Sequence, residues 1–194
     1  MHGSFRKIIK ESIHASQKCQ RNWDLTQEMP QEDIDLILEA ATNAPSKQNL
    51  NLFKLHVIQD RDLIEEIHSR TKGFGPIDGE LHTNSQVLGH VLLAFSPAEE
   101  IKDTLDPDSI VSEDMNQAIG IAAGYVNIVA TQLGYASGCC KCFESLVDIF
   151  GERITLLMGV GIPDRARNRQ EHHLNPEFKF PTLRKLKNIQ VLAH

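Results

Sequence analysis

A chain of 194 residues suits one well-packed core and is short for two domains. Hydrophobic residues at 41% and charged residues at 24% are ordinary for a globular protein, and a net charge of −6 argues against a general nucleic-acid or acidic-membrane binder. No apolar run reaches the ~18 residues of a membrane span, and residues 1–10 lack the unbroken apolar stretch of a secretory leader, so a cytoplasmic location is expected.

Residues 3–15 place Phe5, Ile8, Ile9 and Ile13 at helical spacing, with Lys7, Lys10 and Glu11 opposite. Lys18-Cys19-Gln20-Arg21 follows. Arg21 could hold a phosphate by its fork of donors and Lys18 as a point charge, although an exposed basic turn has the same composition. Pro30 opens a helix over 31–43 with Ile34, Ile37, Leu38 and Ala41 as its apolar stripe. The helix stops before Pro45, and a polar loop follows: Ser46, Lys47, Gln48 and Asn49, with Asn51 beyond. Its amides both donate and accept, which suits the edge of a heterocycle as well as a solvated connection.

A strand is predicted over 54–58, then a helix over 61–70 capped by Asp60, with Leu63, Ile64 and Ile67 inward. Asn84-Ser85-Gln86 precedes a strand over 90–95, apolar enough to be buried on both faces. Residues 96–113 carry Pro and acidic residues and read as a surface segment. Residues 114–133 give the strongest helical pattern, with Met115, Ala118, Ile119, Ala122, Val126, Val129, Ala130 and Leu133 on one face and Ile121, Tyr125 and Ile128 on another. A helix this apolar exceeds what one subunit can cover, so a subunit interface is expected, with Gly120 and Gly124 allowing close approach. Gly134 is the predicted C-cap.

Cys139, Cys140 and Cys142 crowd together with Lys141 between them, and Cys19 stands apart; this is no disulfide framework. Zinc would need a second ligand pair, for which His172-His173 is the nearest candidate. A helix over 144–150 and a buried strand over 153–163 follow, then Arg165, Arg167 and Arg169, and a last strand over 188–192. Repeats and the common dinucleotide, nucleotide, zincin and hydrolase motifs are absent from the sequence.

Five stretches in order resemble the nitroreductase family of flavin enzymes. Ala44-Pro45-Ser46, Asn49, Asn51 and Phe53 resemble its A-P-S-x-x-N-x-Q-P-W, with Asn51 for Gln, Leu52 for Pro and Phe53 for Trp. Lys18, Cys19 and Arg21 resemble its R-S-x-R at the same distance before Met29-Pro30, although a thiol is a weaker donor than the family's hydroxyl. Asn84-Ser85-Gln86 precedes the apolar strand, Leu133-Gly134-Tyr135 resembles A-x-x-L-G-L/Y, and Gly161-Ile162-Pro163 resembles G-x-P.

The resemblance implies an α+β fold with a mainly antiparallel central sheet flanked by helices. It also implies a homodimer that exchanges its C-terminal strand and holds FMN at the interface. Lys18, Cys19 and Arg21 would meet phosphate and ribityl, with Arg169, ahead of Arg167, as a further phosphate contact. Asn84 and then Gln86 would approach the pyrimidine, and Cys139, Cys140, Lys141 and Cys142 would present backbone amides to the ring. Pro45, Ser46, Lys47 and Asn49 would come from the partner. The implied chemistry is ping-pong: NAD(P)H gives hydride to the flavin, and a nitroaromatic or quinone takes the electrons, with no catalytic side chain and no metal. Three alternatives remain open. One is a flavin-fragmenting, dehalogenating or dehydrogenating relative, another is a non-catalytic FMN-binding protein, and the third is a metal or thiol protein built on the cysteines.

Overall fold

The computed structural model describes residues 2–50, 52–72, 81–98, 112–180 and 191–192. Helix α1 (His2–Ala15) is followed by α2 (Gln31–Thr42), strand β1 (Phe53–Ile58), α3 (Arg61–Ser69) and β2 (Val91–Pro97). Then come α4 (Ser112–Gln132), β3 (Ala136–Cys140), the short α5 (Val147–Phe150) and β4 (Leu156–Gly161). The strands form one antiparallel sheet in the order β1-β2-β4-β3. The expected α+β class and antiparallel sheet are therefore present.

Strand alternation divides the core between two layers of cover. Val91, Leu93 and Phe95 of β2, with Met158 and Val160 of β4, pack against Ile34, Ile37 and Ala41 of α2 and Ile119, Ala122 and Val126 of α4. Leu92, Ala94 and Leu157 turn to the other side, where Trp23, Ile64, Ile67, Val87 and Leu146 meet them. Local chemistry fixes the ends. Asp60 accepts from the backbone N–H groups of Asp62 and Leu63, and Gly134 takes the left-handed turn (φ 91°) that stops α4.

Three boundaries differ from expectation. The helix expected over 144–150 is confined to Val147–Phe150, because residue 146 is a buried leucine anchored in the second core before the turn starts. The strand expected over 153–163 is limited to Leu156–Gly161, where its partners on β2 and β3 run. Of the last expected strand, only residues 191–192 are described; both are exposed and outside any strand. Strand exchange and most of the 96–113 segment fall outside the described residues.

Apolar side chains stand open on α4, where a subunit interface was expected, and also on α1. Phe5, Ile8 and Ile13 of α1 are 49–65% exposed, and Ile121 and Tyr125 of α4 are 40% and 47% exposed. A side chain built at Gly120 or Gly124 would meet nothing within 4 Å.

Candidate functional site

A pair of facing glycines sets the site's geometry. Gly138 of β3 lies opposite Gly159 of β4, and the turn Ser85–Val87 sits directly on them. A Cβ at Gly138 would fall 2.6 Å from the Gln20 carbonyl oxygen and 2.6 Å from the Gln86 Cβ. A Cβ at Gly159 would overlap the Gln86 carbonyl oxygen. The bare backbone thus brings residues 18–22, the 84–87 turn and strand β3 together.

β3 is a sheet edge, and these neighbours take its outward carbonyls. Gln20 N donates to Ser137 O at 2.9 Å, and Gln86 Nε2 donates to Cys139 O. By strand alternation the Cys139 N–H points to the same outward edge. The Gln86 Oε1, by contrast, is buried with no hydrogen-bond partner. Asn84 is committed: its Nδ2 donates to Lys72 O and its N–H to Thr71 Oγ1 at 2.7 Å.

Around the start of β3 the charge is positive. A cavity of about 250 Å³ is lined by Lys18, Arg165 and Arg169 together with Gln20, Asn127 and Ser137, and no carboxylate lines it. Arg21 lies beside this group. Its guanidinium carbon sits 4.7 Å above the Phe180 ring, and its Nε is buried without a partner. Burial pushes its pKa down first; Cys19 opposes this, and the nearby Arg169 guanidinium adds to the lowering. Among the described residues no carboxylate pairs with Lys18, Arg21 or Arg169. A half-buried like-charged pair without a carboxylate partner has the electrostatics that suit an anion.

Arg167 differs from Arg169. Its Nη2 and Nη1 donate to His172 O at 2.7 Å and His173 O at 3.0 Å, and its Nε faces Glu171 at 3.4 Å. Arg169 gives one donor to Cys19 O at 3.3 Å and otherwise faces the cavity.

The cysteines gather at the same edge as free thiols. Burial pushes the Cys139 thiol up to about 12, with Cys19 and Cys140 adding to the rise, and burial pushes Cys140 up to about 11. Thiols held this far from ionisation suit apolar filling better than nucleophilic chemistry. Among the described residues no group of three or more His, Cys, Asp or Glu is placed to hold a metal. Lys141 and Cys142 are exposed, and Lys141 shares the rim of a second cavity, about 550 Å³, with Asn116, Phe143 and Arg153.

Pro45, Ser46, Lys47 and Asn49 stand elsewhere. Gln48 and Asn49 are in the left-handed region (φ 51° and 59°), and Lys47 Nζ binds Asp114 Oδ2 at 3.1 Å in the first turns of α4. Thr131, at the other end of α4, lines the cationic cavity, so about 25 Å of helix lies between the two. The structure gathers Lys18, Cys19, Arg21, Gln86, Cys139, Cys140 and Arg169, and sets the 45–49 loop apart within one chain.

The nitroreductase family model matches residues 15–162, three quarters of the chain and every element described above except α1. The chain belongs to the nitroreductase family. The family places it among the oxidoreductases, and solved nitroreductase structures have the same fold. A nitroreductase family protein from Clostridium novyi matches with a TM-score of 0.64 and 15% identity, over 84% of this chain and 90% of its own. A nitroreductase-like protein from Streptococcus mutans gives 0.65 and 16%, over 94% and 100%. An Exiguobacterium sibiricum protein solved in complex with FMN gives 0.61 and 18%, over 93% and 92%. Among curated proteins, none matches this nitroreductase family member in sequence.

Sequence reasoning missed the residues that hold this member's cations. Asn22 Nδ2 donates to Asn168 O at 2.6 Å, Trp23 N donates to His173 Nδ1 at 3.1 Å, and Phe180 lies under Arg21. The alternation Phe178-Lys179-Phe180 was the one signal, since it puts two aromatic rings on the same side of an extended segment. His90 is satisfied at both nitrogens by Gln27 O at 2.9 Å and Ile162 N at 3.3 Å.

Proposed function

We propose that the chain is an FMN-dependent oxidoreductase that takes hydride from NAD(P)H and passes electrons to an electron-poor acceptor such as a nitroaromatic or quinone. The observation that carries this is the uncompensated cation group of Lys18, Arg21 and Arg169 at the start of edge strand β3. It fits one terminal phosphate, and the unpartnered Arg21 Nε and Gln86 Oε1 are polar atoms suited to a ligand with both acceptors and donors. FMN, when bound, supplies the hydride-accepting ring.

The chain's own residues have separate tasks in this reading. Lys18 and Arg21 hold the phosphate, and Arg169 shares it while tethered to Cys19 O. From Ala136 to Lys141 the backbone runs about 16 Å, long enough to hold an anion at one end and a flat ring at the other. Outward N–H groups on this edge, such as that of Cys139, would stabilise negative charge without a titrating side chain. The buried Cys139 and Cys140 thiols fill space.

The active form would be a homodimer in the cytoplasm. The open faces of α1 and α4 support this, as does the 45–49 loop, which is too far along α4 to meet its own chain's cations and would reach a partner's site. Arg21→Ala tests the assignment. Losing a charge-assisted contact of ~1.5–3 kcal/mol should weaken FMN binding about tenfold or more, measured by quenching of flavin fluorescence. Unchanged affinity would reject Arg21 as a phosphate ligand.

A further inference from the structure

Residues 167–180 form a strap that crosses residues 19–23 and carries its own ring stack. Phe180 N donates to Gln170 O at 2.9 Å and His172 N to Phe178 O at 3.0 Å, which closes the strap into a small hairpin. The His82 ring stacks on Phe178 at 3.6 Å, Phe178 meets Phe180 edge-on at 5.0 Å, and His172 stacks on Phe180 at 5.8 Å. Phe180 is 3% exposed and His172 4%. His172 is pinned in turn: its Nδ1 accepts from Leu174 N and Asn175 N, and its Nε2 lies 3.1 Å from Thr83 Oγ1.

This stack ends under Arg21. An arginine can be held by a carboxylate, which consumes its fork of donors and cancels its charge, or by an aromatic face, which does neither. Arg21 is held by a face. No side-chain hydrogen bond or ion pair competes for its donors among the described residues, and the neighbouring Arg169 repels it. A rigid ring beneath the guanidinium restricts its rotamers before any ligand arrives, which lowers the ordering cost of binding.

We propose that Phe180, fixed by His172 and Phe178, is a positioning residue that presents the Arg21 guanidinium with uncommitted donors to the phosphate of the flavin nucleotide. The inference rests on the FMN reading above. It acts only through the phosphate, so it is a device for selecting a phosphorylated flavin over riboflavin.

The test titrates the apoprotein with FMN and with riboflavin, following flavin fluorescence, in the parent, Phe180→Leu and Phe180→Tyr. Phe180→Leu should weaken FMN about tenfold and riboflavin less than about twofold, and Phe180→Tyr, which keeps the ring, should restore FMN. In an Arg21→Ala background, Phe180→Leu should cost little more. Equal losses for both flavins would make Phe180 a general packing residue and overturn the inference, as would no loss at all. A parent that binds riboflavin as well as FMN would reject the phosphate role, and a parent that binds neither would reject the cofactor reading and this inference with it. Should Phe180→Leu not fold, Phe180→Met fills similar space without an aromatic face and gives the same comparison.

Discussion

His68 gives the sharpest prediction about stability. Its ring is 6% exposed, its Nε2 is buried without a partner, and the His172 ring lies 5.8 Å away. Burial, with His172 and Arg61 adding, pushes its pKa down to about 4. In the unfolded chain it returns to about 6.5, so between those values the unfolded state binds more protons. Stability must therefore be fully present above the unfolded value and fall as pH drops through the window. A displacement of this size is worth roughly 3 kcal/mol at most. His68→Leu removes the proton uptake and the orphan nitrogen together. At pH 7.5 it should be within about 1 kcal/mol of the parent, and at pH 4.5 it should be more stable than the parent by about 2 kcal/mol. Urea unfolding from pH 4.5 to 7.5, at one protein concentration, measures both. Parallel pH curves for parent and variant would refute the reasoning.

Gly138→Ala should damage fold and site together, since its Cβ would meet backbone at Gln20 and the base of Gln86; overpacking of this kind costs about 1–3 kcal/mol, and thermal unfolding with and without FMN would show both losses. The triple change Cys139→Ala, Cys140→Ala, Cys142→Ala should keep FMN and most NAD(P)H-dependent reduction with a modest packing loss if, as proposed, the sulfurs only fill space; stopped-flow flavin bleaching checks this, and a variant that keeps flavin but cannot be reduced would contradict it. Gly124→Leu should block the close approach of a second subunit and lose dimer and flavin together, read by sedimentation at micromolar concentration; a dimeric, flavin-loaded variant would place the interface elsewhere.

What could be read from the sequence was what neighbours in the chain decide. Asp60 and Gly134 announce helix ends because their chemistry acts within one turn, and β2 announces its burial because Val91 to Phe95 is apolar on both faces. Lys18, Arg21 and Arg169 were legible as cations, and the structure brings them together. Their setting was not legible. That Gly138 faces Gly159 depends on a strand register, and that Gln86 rests on that pair depends on a turn packed across the sheet. The ring stack under Arg21 joins residues as distant as His82 and Phe180, and no local pattern encodes such a meeting. Arg167 and Arg169 are two residues apart and alike in type, yet tertiary carbonyls occupy the donors of one and leave the other facing the cavity.

The central claim is that the cations beside β3 hold FMN for hydride transfer from NAD(P)H. The direct measurement is the visible spectrum of the purified protein under anaerobic conditions, before and after NADH or NADPH, with the released flavin identified by chromatography. The account predicts a yellow protein that releases FMN and not FAD, and whose absorbance bleaches on adding the nicotinamide. A protein that stays colourless after reconstitution with FMN, or whose bound FMN neither nucleotide reduces, would contradict it.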